Sequence, residues 1–143
     1  MIDSHAHLDM DDFDKDLQEV FDRALKGGIT HIIAIGINVS SSIKALELAK
    51  TYDFVFSTIG FHPHNADDAD PDRLNELSRL VSEPEVVAWG EIGLDFFRRH
   101  SPPEKQIKAF ERQMEMAASF DLPVIIHDRE AHTELLEVLK RHR

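Results

Sequence analysis

The sequence of 143 residues contains no cysteine, which excludes both disulfide bridges and thiolate metal sites. Any metal ion must therefore bind through nitrogen and oxygen ligands. No apolar stretch approaches the roughly 20 residues that cross a bilayer, and the chain does not open on a basic segment followed by an apolar run. These absences predict no contact with a membrane. The lack of cysteine is compatible with the reducing cytoplasm, where we expect the protein to work.

Basic residues are also scarce. The 16 lysines and arginines stand against 27 aspartates and glutamates, which gives a formal net charge of −11. Such a surface repels polyanions at long range and disfavours a protein that merely coats nucleic acid. A nuclease remains possible, because bound cations can supply the positive charge that holds one or two phosphates.

Short apolar runs alternate with longer amphipathic segments, a pattern typical of β-α units. Runs of successive apolar residues predict strands that are buried on both faces, as in a parallel sheet. The predicted strands are Met1–His7, His31–Gly36, Phe54–Gly60, Val86–Gly93 and Pro123–His127. The predicted helices are Phe13–Lys26, Ser40–Thr51, Pro71–Val81, Pro103–Phe120 and Glu130–His142. With 42% hydrophobic residues, we expect one domain over residues 1–143.

Five parallel strands joined by helices fit either an open doubly wound sheet or part of a closed barrel. An open sheet of the dinucleotide-binding kind would carry a glycine-rich turn after its first strand. That turn here runs from His5 to Asp9 and has no glycine. Polar side chains that converge from the C-terminal ends of many strands are typical of barrels. We therefore predict an α/β fold, an incomplete TIM-like (β/α) barrel of about five β-α units.

His5 and His7 lie two residues apart at the end of the first predicted strand. The strand period of two places both imidazoles on one side, where they can share a cation. A pair of hydrogen-bonded histidines at a barrel rim is the alternative interpretation.

Glu91 is a carboxylate inside an otherwise apolar strand. Burial of an unpaired carboxylate is costly, so Glu91 needs a cation or a hydrogen-bond network as its partner. The nearby glycines Gly90 and Gly93 leave room for close approach, so a bridging position between two metal ions is sterically possible. A structural ion pair with a lysine or arginine is the alternative.

His127 ends the fifth predicted strand and, taken alone, is equally compatible with a hydrogen-bonded core histidine. Its position is equivalent to those of the other three candidates at the ends of their strands. Together the four predict a nitrogen-oxygen metal centre. These candidate ligands are His5, His7, Glu91 and His127.

Three further residues are candidates for substrate binding. His62 and His64 flank a proline just beyond the third strand, where one of them can contact a substrate phosphate or where both can serve only the loop. Arg129 follows the fifth strand, and its planar guanidinium can clamp a phosphate or remain a surface charge at the start of the last helix.

Four segments carry a resemblance to a known family. They are Ile2-Asp3-Ser4-His5-Ala6-His7-Leu8, Ile59-Gly60-Phe61-His62-Pro63-His64, Gly90-Glu91-Ile92-Gly93-Leu94-Asp95-Phe96 and Leu122-Pro123-Val124-Ile125-Ile126-His127. In this order and spacing the chain resembles the TatD family of metal-dependent deoxyribonucleases, within the amidohydrolase-like barrels. The resemblance implies that His5 and His7 bind one metal ion, that Glu91 bridges both ions and is the catalytic residue present, and that His127 binds the second ion.

The same resemblance implies ligands that this sequence does not contain. Family members continue for roughly as many residues again, with a histidine on a sixth strand and an aspartate that activates the attacking water. We therefore expect an incomplete site in an incomplete barrel. The unpaired edges of its first and fifth strands should associate with a second copy of the chain or with the other barrel half.

The predicted function is hydrolysis of phosphodiesters in DNA ends or short single strands, with two divalent ions, Mg, Mn or Zn, as cofactors. Hydrolysis of an amide or ester by the same ligands is the enzymatic alternative, because an activated water attacks either electrophile. A catalytically incomplete fragment or scaffold is the alternative outside enzymes.

Overall fold

The computed structural model describes residues 1–142, and strands alternate with helices along all of them, as predicted. The strands are β1 (Ile2–Ala6), β2 (His31–Ala34), β3 (Val55–Ile59), β4 (Val86–Asp95) and β5 (Val124–Arg129). The helices are α1 (Leu17–Lys26), α2 (Val39–Thr51), α3 (Pro71–Ser78), α4 (Pro103–Ser119) and α5 (His132–Arg141). Short 3-10 turns occupy Asp11–Phe13, Pro63–Asp68 and Arg79–Ser82.

The five strands form one parallel sheet in the order β1-β2-β3-β4-β5, so each strand pairs with its neighbour in the sequence. Each helix returns the chain to start the next strand in the same direction, as in a barrel built by right-handed crossovers. The sheet is curled into a half-barrel, which confirms the predicted fold class. All five strands point their C-terminal ends to one edge, which collects the candidate site residues.

Several element boundaries differ from the sequence-based prediction. Helix α1 begins at Leu17 rather than Phe13, because the preceding residues form a separate 3-10 turn. Strands β4 and β5 each extend two residues further than predicted, and their last residues, Asp95 and Arg129, pair in register. Helix α3 starts as predicted, with the Asp70 side chain accepting a hydrogen bond from the backbone N–H of Arg73.

Strand β1, which carries Asp3, Ser4 and His5 rather than a run of apolar residues, is largely exposed. Four of its five residues are exposed, and Ile2 retains 60% of its accessible surface. Within residues 1–142, β1 pairs only with β2 and β5 only with β4, which leaves the outer edge of each unpaired. No helix in this range combines the length and the apolarity needed to cross a membrane.

The core lies between the sheet and its helices in two clusters. The larger one is centred on Trp89, Ile92 and Leu94 of β4, which pack against residues of α3, α4 and α5. The smaller one joins Phe21 of α1 to Val55 of β3 and to residues of α2. Burial of these large apolar side chains is the main favourable term in folding.

Two buried glutamines of α4 attach the helix to the ends of β3 and β4. The Gln113 side chain accepts hydrogen bonds from the Phe61 backbone N–H (2.7 Å) and the Trp89 indole N–H (3.1 Å), and donates one to the Phe61 carbonyl (3.1 Å). Gln106 accepts from the Asp95 backbone N–H (2.8 Å) and donates to the Asp95 and Ser101 carbonyls. These bonds fix the backbone beside His62 and at Asp95.

Replacement of Gln113 by leucine should destabilise the protein by roughly 3–5 kcal/mol, because three buried polar groups lose their partner at about 1–3 kcal/mol each. The free energy of unfolding in urea measures this loss. Gln18→Leu, at an exposed position of α1, is the control and should change the stability by no more than about 0.5 kcal/mol. Equal small losses in both variants would contradict the role of Gln113.

Candidate metal centre

Four strands contribute to one cluster of imidazoles and carboxylates at the C-terminal edge of the sheet. His5 and His7 come from the end of β1, Glu91 from β4 and His127 from β5. His62 follows β3 and begins the 3-10 turn Pro63–Asp68. Each predicted ligand therefore reaches the same place.

The first group joins β1 to β4. The Nε2 atoms of His5 and His7 lie 3.3 Å apart and face Oε2 of Glu91 at 3.4 and 3.7 Å. Strands β1 and β4 are three positions apart, a distance of about 14 Å in a flat sheet. Only the curl of the sheet brings these side chains together.

The second group joins β4 to β5 and to the turn after β3. The His127 Nδ1 atom lies 3.0 Å from Oε1 of Glu91 and 3.2 Å from Nε2 of His62. One ligand atom from each of these three residues can be chosen so that all lie within 4.8 Å of one another, and the same is true of the first group. Glu91 belongs to both groups.

Glu91 is 6% exposed and directs one carboxylate oxygen to each group. Burial raises the pKa of this carboxyl, but the hydrogen bond with His127 and the nearby imidazoles outweigh it, so the pKa lies below its usual value. Within residues 1–142, only histidines form ion pairs with Glu91, and the alternative of a lysine or arginine partner is not found.

The donor set suits a divalent cation. Imidazole nitrogens and carboxylate oxygens are the usual ligands of Zn and Mn, and carboxylates also serve Mg. Each group supplies three such donors without any thiolate, with Glu91 counted in both groups and His62 in the second. The residues that would hold metal in this cluster are His5, His7, Glu91 and His127, with His62 beside them.

His62 lies deeper than its loop position suggested, at 8% exposure. Burial lowers its pKa to about 4, which makes the imidazole neutral near pH 7. The sequence analysis assigned His62 to substrate. Its ring also lies close enough to the ligand atoms of Glu91 and His127 for His62 to be a metal ligand, a possibility that sequence reasoning did not favour.

His64, which is half-buried, pairs with the buried Asp95 beside the second group. The His64 Nε2 atom lies 2.7 Å from Oδ2 of Asp95, and Nε2 of His127 lies 3.2 Å from the same oxygen. Burial raises the pKa of Asp95, but hydrogen bonds from the Arg98 backbone N–H and from both histidines lower it to about 2. The sequence predicts Asp95 as a partner of the ligands or as a loop cap, and these contacts make it a partner of His64 and His127. The predicted phosphate contact of His64 gains no support from this pairing and stays a prediction.

Gly93 permits the close approach of β4 and β5 beside the site. Its φ is +140°, a conformation that L side chains rarely adopt. An added Cβ would collide with the carbonyl oxygen of His127. A side chain at position 93 would therefore displace a predicted ligand.

Arg129 stands at the mouth of the cluster, two residues after His127. It is exposed, and its guanidinium lies over the Phe97 ring at 4.1 Å from the ring centre. Phe97 retains 54% of its own exposure. The stacking holds an accessible positive charge next to the cluster.

Residues 2–143 match the model of a protein family described as TatD related DNase. The chain belongs to the TatD family. The metal-dependent hydrolase YabD of Bacillus subtilis, described as uncharacterized, is 36% identical over 140 residues, which are 98% of this chain and 55% of YabD. The 3'-5' ssDNA/RNA exonuclease TatD of Erwinia tasmaniensis is 40% identical over 141 residues, 98% of this chain and 54% of that protein.

Solved structures agree with this assignment to the TatD family. The crystal structure of YJJV, a TatD homolog from Escherichia coli, matches with a TM-score of 0.93 and 33% identity, over 99% of this chain and 56% of that chain. The present TatD-family chain therefore spans about half the length of the curated relatives it matches.

Replacement of Glu91 by glutamine should weaken metal binding at both groups at once, because one neutral amide replaces the carboxylate that they share. We expect a loss of more than the roughly 10–100-fold typical of a changed outer partner. Calorimetric titration with Mn or Zn gives the affinity and the stoichiometry. Unchanged affinity in the variant would contradict the shared role of Glu91.

Proposed function

We propose that this chain forms the metal-binding part of a two-metal phosphodiesterase that acts on single-stranded DNA or RNA. The observation that supports this most directly is the division of the Glu91 carboxylate between two histidine groups. A carboxylate with one oxygen toward each group is arranged as a bridge between two cations. We assign Glu91 as the catalytic residue and His5, His7 and His127 as the other ligands.

Two bound cations in such a site would lower the pKa of an attacking water and neutralise charge on the phosphate oxygens. The residues of this chain position the ligands for that chemistry. The curled sheet holds the ligands at fixed positions, and the buried Gln113 and Gln106 secure the strand ends that carry them. Such preorganisation is what electrostatic stabilisation of a transition state requires.

His62 and Arg129 are the residues that we propose for substrate binding. His62 is buried against the second group, where its ring can meet a non-bridging phosphate oxygen. Arg129 is exposed above the group and can pair with a neighbouring phosphate of the strand. Arg98 and Arg99 are also exposed, in the loop after β4, and are further cations that a phosphate could meet. Positive charge at this place favours a phosphodiester over an amide or ester.

The unpaired outer edges of β1 and β5 point to a protein partner. Exposed strand edges pair readily with other chains. We propose that these edges bind a second copy or the complementary half of a barrel. The expected cytoplasmic location stays a prediction.

The first experiment is hydrolysis of a short labelled single-stranded DNA and of the matching RNA by the purified chain. We expect cleavage with Mg or Mn, none with EDTA, and none in Glu91→Gln, and the mass in solution should be measured on the same sample. A folded, metal-loaded chain that cleaves neither strand would contradict the proposed activity. It would favour a metal-binding unit whose catalysis requires further residues.

Replacement of His62 by alanine should reduce turnover of the oligonucleotide while the metal content is retained, because we assign its ring to substrate. Metal analysis of the purified variant accompanies the kinetic measurement. His142→Ala, at the end of α5, serves as the control, and both its turnover and its metal content should match the parent chain. Loss of metal in the His62 variant would instead make His62 a ligand.

A further inference from the structure

Phe97 is an exposed aromatic side chain at the edge of the sheet that carries the candidate metal ligands. It lies two residues after the end of β4 and retains 54% of its accessible surface. Single exposed apolar residues are common on proteins and need no explanation by themselves. Phe97 differs from such residues because the structure holds both its backbone and one face of its ring in place.

The turn that carries Phe97 is anchored to the buried side chain of Asp95. Oδ1 of Asp95 accepts hydrogen bonds from the backbone N–H groups of Phe97 (3.1 Å) and Arg98 (2.8 Å). The backbone N–H of Phe96 donates to the carbonyl of Arg129 at 2.9 Å, which ties the start of the turn to the end of β5. The position of Phe97 is thus set by the ends of two paired strands.

The same carboxylate connects this turn to the candidate metal centre. Its other oxygen, Oδ2, lies 3.2 Å from Nε2 of His127, so one carboxyl group separates the backbone of Phe97 from a candidate ligand. Arg129 follows that ligand by two residues, and its guanidinium lies 4.1 Å from the centre of the Phe97 ring. The ring is therefore next to the place where we assign the substrate phosphates.

The two faces of the Phe97 ring are not equivalent. One face lies against the guanidinium of Arg129. A ring covered on both faces would keep little accessible surface, so the 54% that remains indicates that the opposite face is open. Proteins that hold single strands combine cations that pair with the phosphates and aromatic rings on which the bases stack. Arg129 and the open face of Phe97 supply one of each.

We infer that the open face of Phe97 stacks against an unpaired nucleobase of the substrate strand. The inference rests on the proposed function, because it takes the phosphates to bind at the cluster and at Arg129. Every base has a π-face, so this contact selects neither a sequence nor a sugar. A base inside a duplex is already stacked on both sides and cannot reach the ring. Phe97 thereby favours single strands over duplexes.

The test is a titration of the chain with a short oligodeoxyadenylate and with the same strand lacking its bases. EDTA is present, so that metal-dependent cleavage cannot consume the strands, and calorimetry gives the affinity for each. We expect the parent chain to bind the base-bearing strand roughly 5–100-fold more tightly, the range for one stacked base. In NMR the Phe97 ring protons should shift upfield with the base-bearing strand only, because a stacked adenine shields them.

Two variants of Phe97 separate its ring from its bulk. Phe97→Leu keeps an apolar side chain without a π-face and should lose the preference for the base-bearing strand, whereas Phe97→Tyr should retain it. Phe120→Leu is the matched control. Phe120 is also exposed, at 41%, but it follows the end of α4 and so lies at the opposite edge of the sheet. This control should bind both strands as the parent chain does.

Equal affinity of the parent chain for the two strands, or binding of neither, would overturn the inference, and these results require no variant to fold. A Phe97→Leu chain that keeps the preference for bases would overturn it as well. An equal loss of both strands in that variant would do the same, because Phe97 would then only orient Arg129. Base-dependent binding by a chain that cleaves nothing with Mg or Mn would support the inference while the proposed activity fails.

Discussion

The curl of the parallel sheet is the constraint on which the whole site depends. Oε2 of Glu91 on β4 lies 3.4 Å from Nε2 of His5 on β1 and 3.7 Å from Nε2 of His7 just after β1, although two strands lie between β1 and β4. In a flat sheet the same side chains would be separated by about 14 Å. The cluster of candidate ligands therefore depends on the curvature of the sheet, and a packing change that flattens the sheet would separate His5 and His7 from Glu91.

Curvature brings the imidazoles together but does not orient their rings. Buried hydrogen bonds set that orientation. The two groups around Glu91 are linked through His62 and His127 to Asp95, and each polar atom in this path has a defined partner. In a low-dielectric environment such networks stabilise only when their members are satisfied together. The backbone of the turn after β3 and of the loop after β4 thus fixes the positions of these donors and acceptors.

The sequence could single out the candidate ligands because their chemistry contrasts with their surroundings: a carboxylate within an apolar strand at Glu91, and paired imidazoles at His5 and His7. It predicted the five β-α units through the periodicity of the apolar residues. It did not reveal Gln106 and Gln113, because an amide in a polar helix pattern looks like any exposed residue. The exposure of β1 agrees with its polar residues Asp3, Ser4 and His5, which the sequence already shows.

The glutamines of α4 have a consequence for how this family can change during evolution. Gln106 and Gln113 are seven residues apart, two turns of helix, so both face the sheet. One residue inserted between them would rotate the second amide by about 100° and release the end of β3. The segment between the two amides must therefore keep its length wherever both amides hold the sheet.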